Sequence, residues 1–346
     1  MRFMKHPLPT IALLILLFVA AQVVGLSLLS LDVKDVSTDA NGVTTVTHNP
    51  TTIGDRPQTS GAGSLLYIII GVGVGTALLL LIIRFHLINF WKLWFLLAVW
   101  LSTAIAVGVI LPAVVALVFC LLLALWKVFW PNPFVHNFTE IFMYAGIAVL
   151  LAPLFTLLWA VLLLLIISVY DIIAVWQSKH MVTMAEAQSK NRLFAGLYIP
   201  KKDAQATEAQ VAEANVTMPT AKGAARTTLT SKTTAVASKK APRKRISLDE
   251  VPAPPRRKDG MGGKSGAILG GGDLAFPLIF SGVVMDWLIA GGTPRVPALY
   301  ETLLVTLGAT VALTLLFFYA KKDRYYPAMP FITAGCLAGL LVIWLL

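Results

Sequence analysis

Nine stretches of this chain are apolar for long enough to cross a lipid bilayer, and that constrains the fold more than any motif does. A hydrocarbon core about 30 Å thick takes about 20 apolar residues as helix. By that ruler the spans are Leu8–Leu31, Ser64–Ile83, Leu93–Leu111, Ala113–Trp130, Phe138–Leu151, Leu154–Trp176, Ser265–Ala290, Ala298–Ala320 and Pro327–Leu346. Of the 346 residues, 57% are hydrophobic and only 13% charged, more apolar surface than a soluble domain of this length can hide. Within lipid, a helix pairs every backbone N–H and C=O internally. The expected fold class is therefore an all-α polytopic membrane protein with nine transmembrane helices.

The count is least direct between Phe138 and Trp176. That stretch would run roughly 58 Å as one straight helix, too long for a single crossing. Pro153 supplies the break, because a proline removes a helical hydrogen bond and clashes with the preceding turn. The opening "MRFMKHPLPTIALLILLFVAAQVVG" also has the form of a secretory signal. Its apolarity continues to Leu31, which favours a retained first helix.

Charge sets the orientation. Of the 28 Lys and Arg, 17 lie from Lys179 to Lys264, in the one long polar connection. Arg2, Lys5, Arg84, Lys92, Lys127, Lys321, Lys322 and Arg324 fall on that same side of a nine-span topology, and Asp32, Asp35, Asp39 and Asp55, against Lys34 and Arg56, on the other. Positive-inside then predicts a cytosolic N-terminus and linker and an outer C-terminus, in the cell membrane. The basic linker has no aromatic interleaving, so anionic lipid rather than nucleic acid is its expected partner.

Three parts follow: six spans over 1–200, a disordered basic cytosolic linker over 201–263, and three spans over 264–346. The linker is Ala-, Thr-, Lys- and Pro-rich, with no apolar period. "LFAGLYIP", Leu193 to Pro200, is an apolar island that reads equally as a strand or a membrane-surface patch. Gly71, Gly73 and Gly75, and the pair Gly335 and Gly339, offer small faces for helix packing. Cys120 and Cys336 both fall in spans and read as packing residues; no metal site or cofactor is expected. "GMGGKSG" lacks the strand and the first glycine of a phosphate-binding loop.

Carboxylates inside spans are costly and need compensation. Asp286 and Glu301 share a depth on the outer side and read as interfacial or mutually hydrogen-bonded. Glu140 reads as favoured by the N-terminus of span five. Asp171 lies about six residues, roughly 9 Å, before the linker end of span six, and Asp273 about eight residues, roughly 12 Å, after span seven begins. The linker joins those two ends, so both carboxyls sit at similar depth whichever way the protein is oriented. Two carboxyls together in low dielectric tend to hold one proton, which lets one act as base on a water and the other as acid toward a carbonyl oxygen. Gly270 and Gly272, lacking Cβ, admit a close backbone beside Asp273. From position alone, a hydrogen-bonded pair in a proton-coupled transporter stays open as an alternative.

"SVYD" ending in Asp171, "GGGD" ending in Asp273, and "PAMP" from Pro327 to Pro330, in order on spans six, seven and nine, resemble the three signatures of the presenilin and signal-peptide-peptidase type GxGD intramembrane aspartyl proteases. The resemblance covers the chain outside the linker in a presenilin-like 6+3 arrangement. Its compactness and short N-terminus look most like the archaeal presenilin homologues. What it implies is an intramembrane aspartic endopeptidase that cleaves transmembrane proteins or peptides, with Asp171 and Asp273 as the catalytic dyad. Tyr170 would shape the site beside Asp171. Gly270 and Gly272 would give the backbone approach, while Pro327, Ala328, Met329 and Pro330 would contact substrate. Met329 stands where the family usually has Leu, a volume-conserving change that bears on substrate preference. Gly271 stands at the pattern's variable position. A transporter would predict inverted repeats that six plus three spans do not show. A prepilin peptidase would normally show a cytosolic cysteine-pair loop or a charge soon after the Asp, unlike "DLAFPLIF".

Overall fold

The computed structural model describes residues 8–38, 44–57, 59, 61–85, 88–177, 195–200, 266–320 and 326–346. Among them each expected span appears as a helix: α1 (Leu8–Asp32), α2 (Ala62–Arg84), α3 (Ile88–Gly108), α4 (Ala113–Phe129), α5 (Pro133–Leu151), α6 (Leu157–Ile172), α7 (Gly272–Ala290), α8 (Arg295–Tyr319) and α9 (Met329–Leu345). Seven of these elements are long and apolar enough to cross a membrane; α4 and α9 are shorter apolar helices of 17 residues. The protein is an all-α polytopic membrane protein. The basic linker, 201–263, lies outside the described residues, as do Arg2, Lys5, Lys179 and the Lys321–Arg324 cluster.

Two short antiparallel ribbons join the helices. β1 (Val33–Thr38) pairs with β2 (Thr44–His48), and β3 (Gly196–Pro200) pairs with β4 (Gly266–Gly270). The described end of the undecided island, Gly196–Pro200, is thus a strand, and Gly266–Gly270 of expected span seven is its partner rather than helix.

At the centre is α7, which packs on α1, α5, α6, α8 and α9. Of its most apolar stretch 72% is buried, against 17% for α2, so α7 is the core and α2 an edge. Gly308, Gly335 and Gly339 make the α8–α9 contact: a Cβ on Gly339 would sit 2.6 Å from the Leu304 carbonyl oxygen, so only glycine allows that approach. Gly71, Gly73 and Gly75 differ from expectation. A Cβ on any of them meets nothing within 4 Å, so this glycine run lies on an open face of α2.

The long apolar run breaks where proline dictates. A 3-10 turn, Ala152–Leu154, separates α5 from α6. Pro153 has no N–H to give the Val149 carbonyl, and Arg56 supplies the donors instead, Nε at 3.2 Å and a terminal guanidinium nitrogen at 3.1 Å. At its other end α5 starts five residues earlier than the apolar run suggests. Asn132 caps it, accepting from the Phe134 N–H at 2.9 Å, with Pro133 in the first turn.

Two carboxylates find partners that spacing did not reveal. Asp286 pairs with His48 Nε2 at 3.1 Å, not with Glu301, because the β1–β2 ribbon folds back over the end of α1. His48 Nδ1 meets Asp32 at 3.0 Å, and Arg56 bonds the same Asp32 oxygen. Glu140 lies two turns into α5, beyond the reach of its helix N-terminus; its partners are the Lys127 ammonium and the Gly196 N–H. Lys127 and Glu140 are both buried, so each compensates the other's desolvation.

Candidate active site

Three chain ends meet here: the end of α6, the start of α7 and the start of α9. Asp171 is the next-to-last residue of α6 and is 5% exposed. Its Oδ2 accepts the Met329 N–H at 3.1 Å. Because Pro327 precedes α9, the chain stays irregular through Ala328, and the first helical N–H is free to point at the carboxylate. The positive end of α9 therefore faces Asp171. One turn back along α6, the Ser168 and Thr333 hydroxyls meet at 2.8 Å and tie α6 to α9 a second time.

Asp273 occupies the first turn of α7, immediately after β4. The expected eight residues of preceding helix are mostly strand. Gly266, Gly270, Gly271 and Gly272 weaken helix there, and β3 offers the backbone partner that helix would otherwise provide. Pro277, one turn on, removes the N–H that the Asp273 carbonyl would use. The next carbonyl, Leu274, accepts from Nε2 of the fully buried Gln22 at 3.0 Å. α6 packs directly against α7, so the two aspartates are carried on neighbouring helices.

Not every expected site residue lands at the carboxyls. Around the α9 start, Pro327 and Met329 are buried, Ala328 and Pro330 half-buried. Pro330 falls in the first turn of α9, so only the stretch up to Ala328 is non-helical. The Tyr170 hydroxyl is 3.3 Å from Thr76 Oγ1, which links α6 to α2. A Cβ on Gly270 would lie 3.2 Å from Asp273 Oδ2, so this glycine does keep backbone against the carboxyl. At Gly272 a Cβ would make ordinary contact with Phe276 at 3.6 Å. Gly271 is the tightest of the three: a Cβ there would overlap the Tyr144 hydroxyl and lie 2.7 Å from its ring. No signal in the sequence pairs Tyr144, within α5, with Gly271, at the junction of β4 and α7 127 positions on.

Residues 43–346 match the family model described as signal-peptide peptidase, presenilin aspartyl protease. The chain belongs to this family. Its membership makes it an intramembrane aspartyl protease in the general sense and places its substrates in the lipid bilayer. A solved presenilin family intramembrane aspartate protease has the same fold at 16% identity, with a TM-score of 0.51 over 97% of this chain and 96% of that one. A comparison with curated protein sequences gives no match.

Proposed function

We propose that this protein is a GxGD-type endopeptidase that hydrolyses peptide bonds within transmembrane segments, with Asp171 and Asp273 as its dyad. The observation that carries this reading is their placement on two packed helices, Asp171 at the end of α6 and Asp273 in the first turn of α7. The ionised carboxyl removes a proton from a water between them, and the water oxygen attacks the scissile carbonyl carbon. The protonated carboxyl gives its proton to the carbonyl oxygen. The tetrahedral diol then collapses, the C–N bond breaks, and a proton passes to the leaving amine. The Met329 N–H holds the Asp171 carboxyl at the start of α9, in place for its part in the dyad.

A substrate helix must unwind locally, since its backbone is hydrogen-bonded to itself. The extended stretch would be re-satisfied by adding to the β4 edge that ends at Gly270, beside Asp273. Pro327, Ala328, Met329, Pro330 and Tyr170 would line its path. With the N-terminus and the 201–263 linker cytosolic and the C-terminus outside, cleavage falls toward the cytosolic side. The test is incubation of the purified protein with a transmembrane peptide, with and without an aspartyl transition-state inhibitor. Inhibitor-blocked cleavage, lost in Asp171→Ala and in Asp273→Ala, is expected; cleavage that persists in either variant overturns the assignment.

A further inference from the structure

We propose that one polar face of α5, formed by His136, Asn137 and Glu140, is a clamp that positions the β3–β4 ribbon and so selects which substrate bond reaches Asp273. This rests on the protease reading above. The clamp itself is a matter of four hydrogen bonds. The Gly196 N–H donates to Glu140 Oε2 at 2.8 Å, and His136 Nε2–H donates to the Gly196 carbonyl at 2.8 Å. The Tyr198 N–H donates to Asn137 Oδ1 at 2.9 Å, and Asn137 Nδ2 donates to the Tyr198 carbonyl at 2.8 Å.

These are the bonds a third strand would make. In an antiparallel ladder alternate residues face the partner strand. With Gly196 and Tyr198 turned to α5, Leu197 and Ile199 face β4, opposite Leu269 and Ala267. The Asn137 carboxamide offers one acceptor and one donor, as a peptide group does. A two-stranded ribbon is marginal by itself and free to slip. The helix removes that freedom, because Asn137 fits one residue of β3 and Glu140 the residue two earlier. Glu140 holds its place through Lys127, an ion pair buried among α3, α4 and α5.

The consequence is one of edge and register. Side chains of α5 occupy the outer edge of β3. The edge of β4 left over carries Ile268, which is 42% exposed, and ends at Gly270 against the Asp273 carboxyl. An extended substrate segment paired there is held in steps of two residues relative to the dyad. His136, Asn137 and Glu140 are positioning residues, acting through the ribbon.

The test uses the full-length protein in lipid. His136 and Asn137 are half-buried, so their replacement leaves no core void. In Asn137→Ala, amide exchange at Tyr198 is expected to accelerate about tenfold, the scale of losing a paired set of hydrogen bonds. Cleavage of a transmembrane peptide should lose specificity, with products spread to neighbouring bonds and kcat/KM lowered. Affinity for a compact transition-state isostere, which spans only the dyad, should be unchanged. His136→Gln, which keeps a donor, should retain the wild-type product pattern, and His136→Leu should not; this pair also serves if Asn137→Ala fails to fold. Unchanged Tyr198 exchange, a wild-type product pattern in both Asn137→Ala and His136→Leu, or isostere affinity falling in step with activity overturns the clamp. Cleavage that survives Asp273→Ala overturns the protease reading instead, and Tyr198 exchange still reports on the clamp.

Discussion

The backbone N–H of Met329 donates to Oδ2 of Asp171 at 3.1 Å, so one carboxyl both joins the proposed dyad and caps the helix opened by the Pro327–Pro330 stretch. Fold and chemistry share a single hydrogen bond there. Asp171→Asn keeps an acceptor oxygen and should preserve the melting temperature while cleavage falls to background. Asp171→Leu leaves the Met329 N–H unpaired and should cost a further roughly 1–3 kcal/mol. Thermal unfolding beside a cleavage assay separates the two. Equal destabilisation by both variants would show that the bond does not hold α9.

Gly271, rather than its neighbours, is the position where a methyl group cannot enter. Gly271→Ala should destabilise by about 1–3 kcal/mol, the usual cost of overpacking. Gly272→Ala, which meets only Phe276 at ordinary distance, should be nearly neutral. Tyr144→Phe removes the hydroxyl that the new methyl would strike, so the double variant should recover part of the loss. A double-mutant cycle with no coupling between the two positions would sink this account.

At the opposite end of the bundle, His48 lies between Asp286 and Asp32, with both ring nitrogens in hydrogen-bond reach of carboxylates. Burial works against its charge, but the hydrogen bonds to Asp286 and Asp32 outweigh it and raise the imidazole from 6.5 to about 9. A pKa raised in the folded state contributes stability that is complete below pH 6.5 and is lost as pH climbs through 9. The loss should be on the order of 3 kcal/mol. His48→Gln should be less stable near neutrality and flat across that window. Denaturation midpoints from pH 6 to 10 give the measurement, and an identical slope in the variant would exclude His48 as its source.

Arg56 fills the gap left by Pro153 through two bonds to the Val149 carbonyl, while also neutralising Asp32. Arg56→Met strands the Val149 carbonyl and leaves Asp32 with His48 as its charged partner, and should cost roughly 1–3 kcal/mol. Arg56→Lys keeps the charge but not the planar fork, so it should recover only part of that loss. The readout is unfolding free energy in detergent; a lysine variant as stable as wild type would show that charge alone matters.

How much of this was legible in advance follows the range over which each force acts. Apolar run length, proline breaks and the order of "SVYD", "GGGD" and "PAMP" are local properties. They sufficed for nine helices, the turn at Pro153 and the family resemblance. The Asn132–Pro133 helix start was also written locally, as a cap followed by an N1 proline, although apolarity alone set it too late. Other features needed the packed molecule: β3 against β4 and α5, Tyr144 over Gly271, His48 between Asp32 and Asp286. A helix such as α7, apolar on every side and buried at the centre, carries no amphipathic stripe to say which face meets which neighbour. Rotational phase and partner choice are then decided by shape and by the few polar groups that must find each other in the assembled core, and those pairings exist only once the helices have docked.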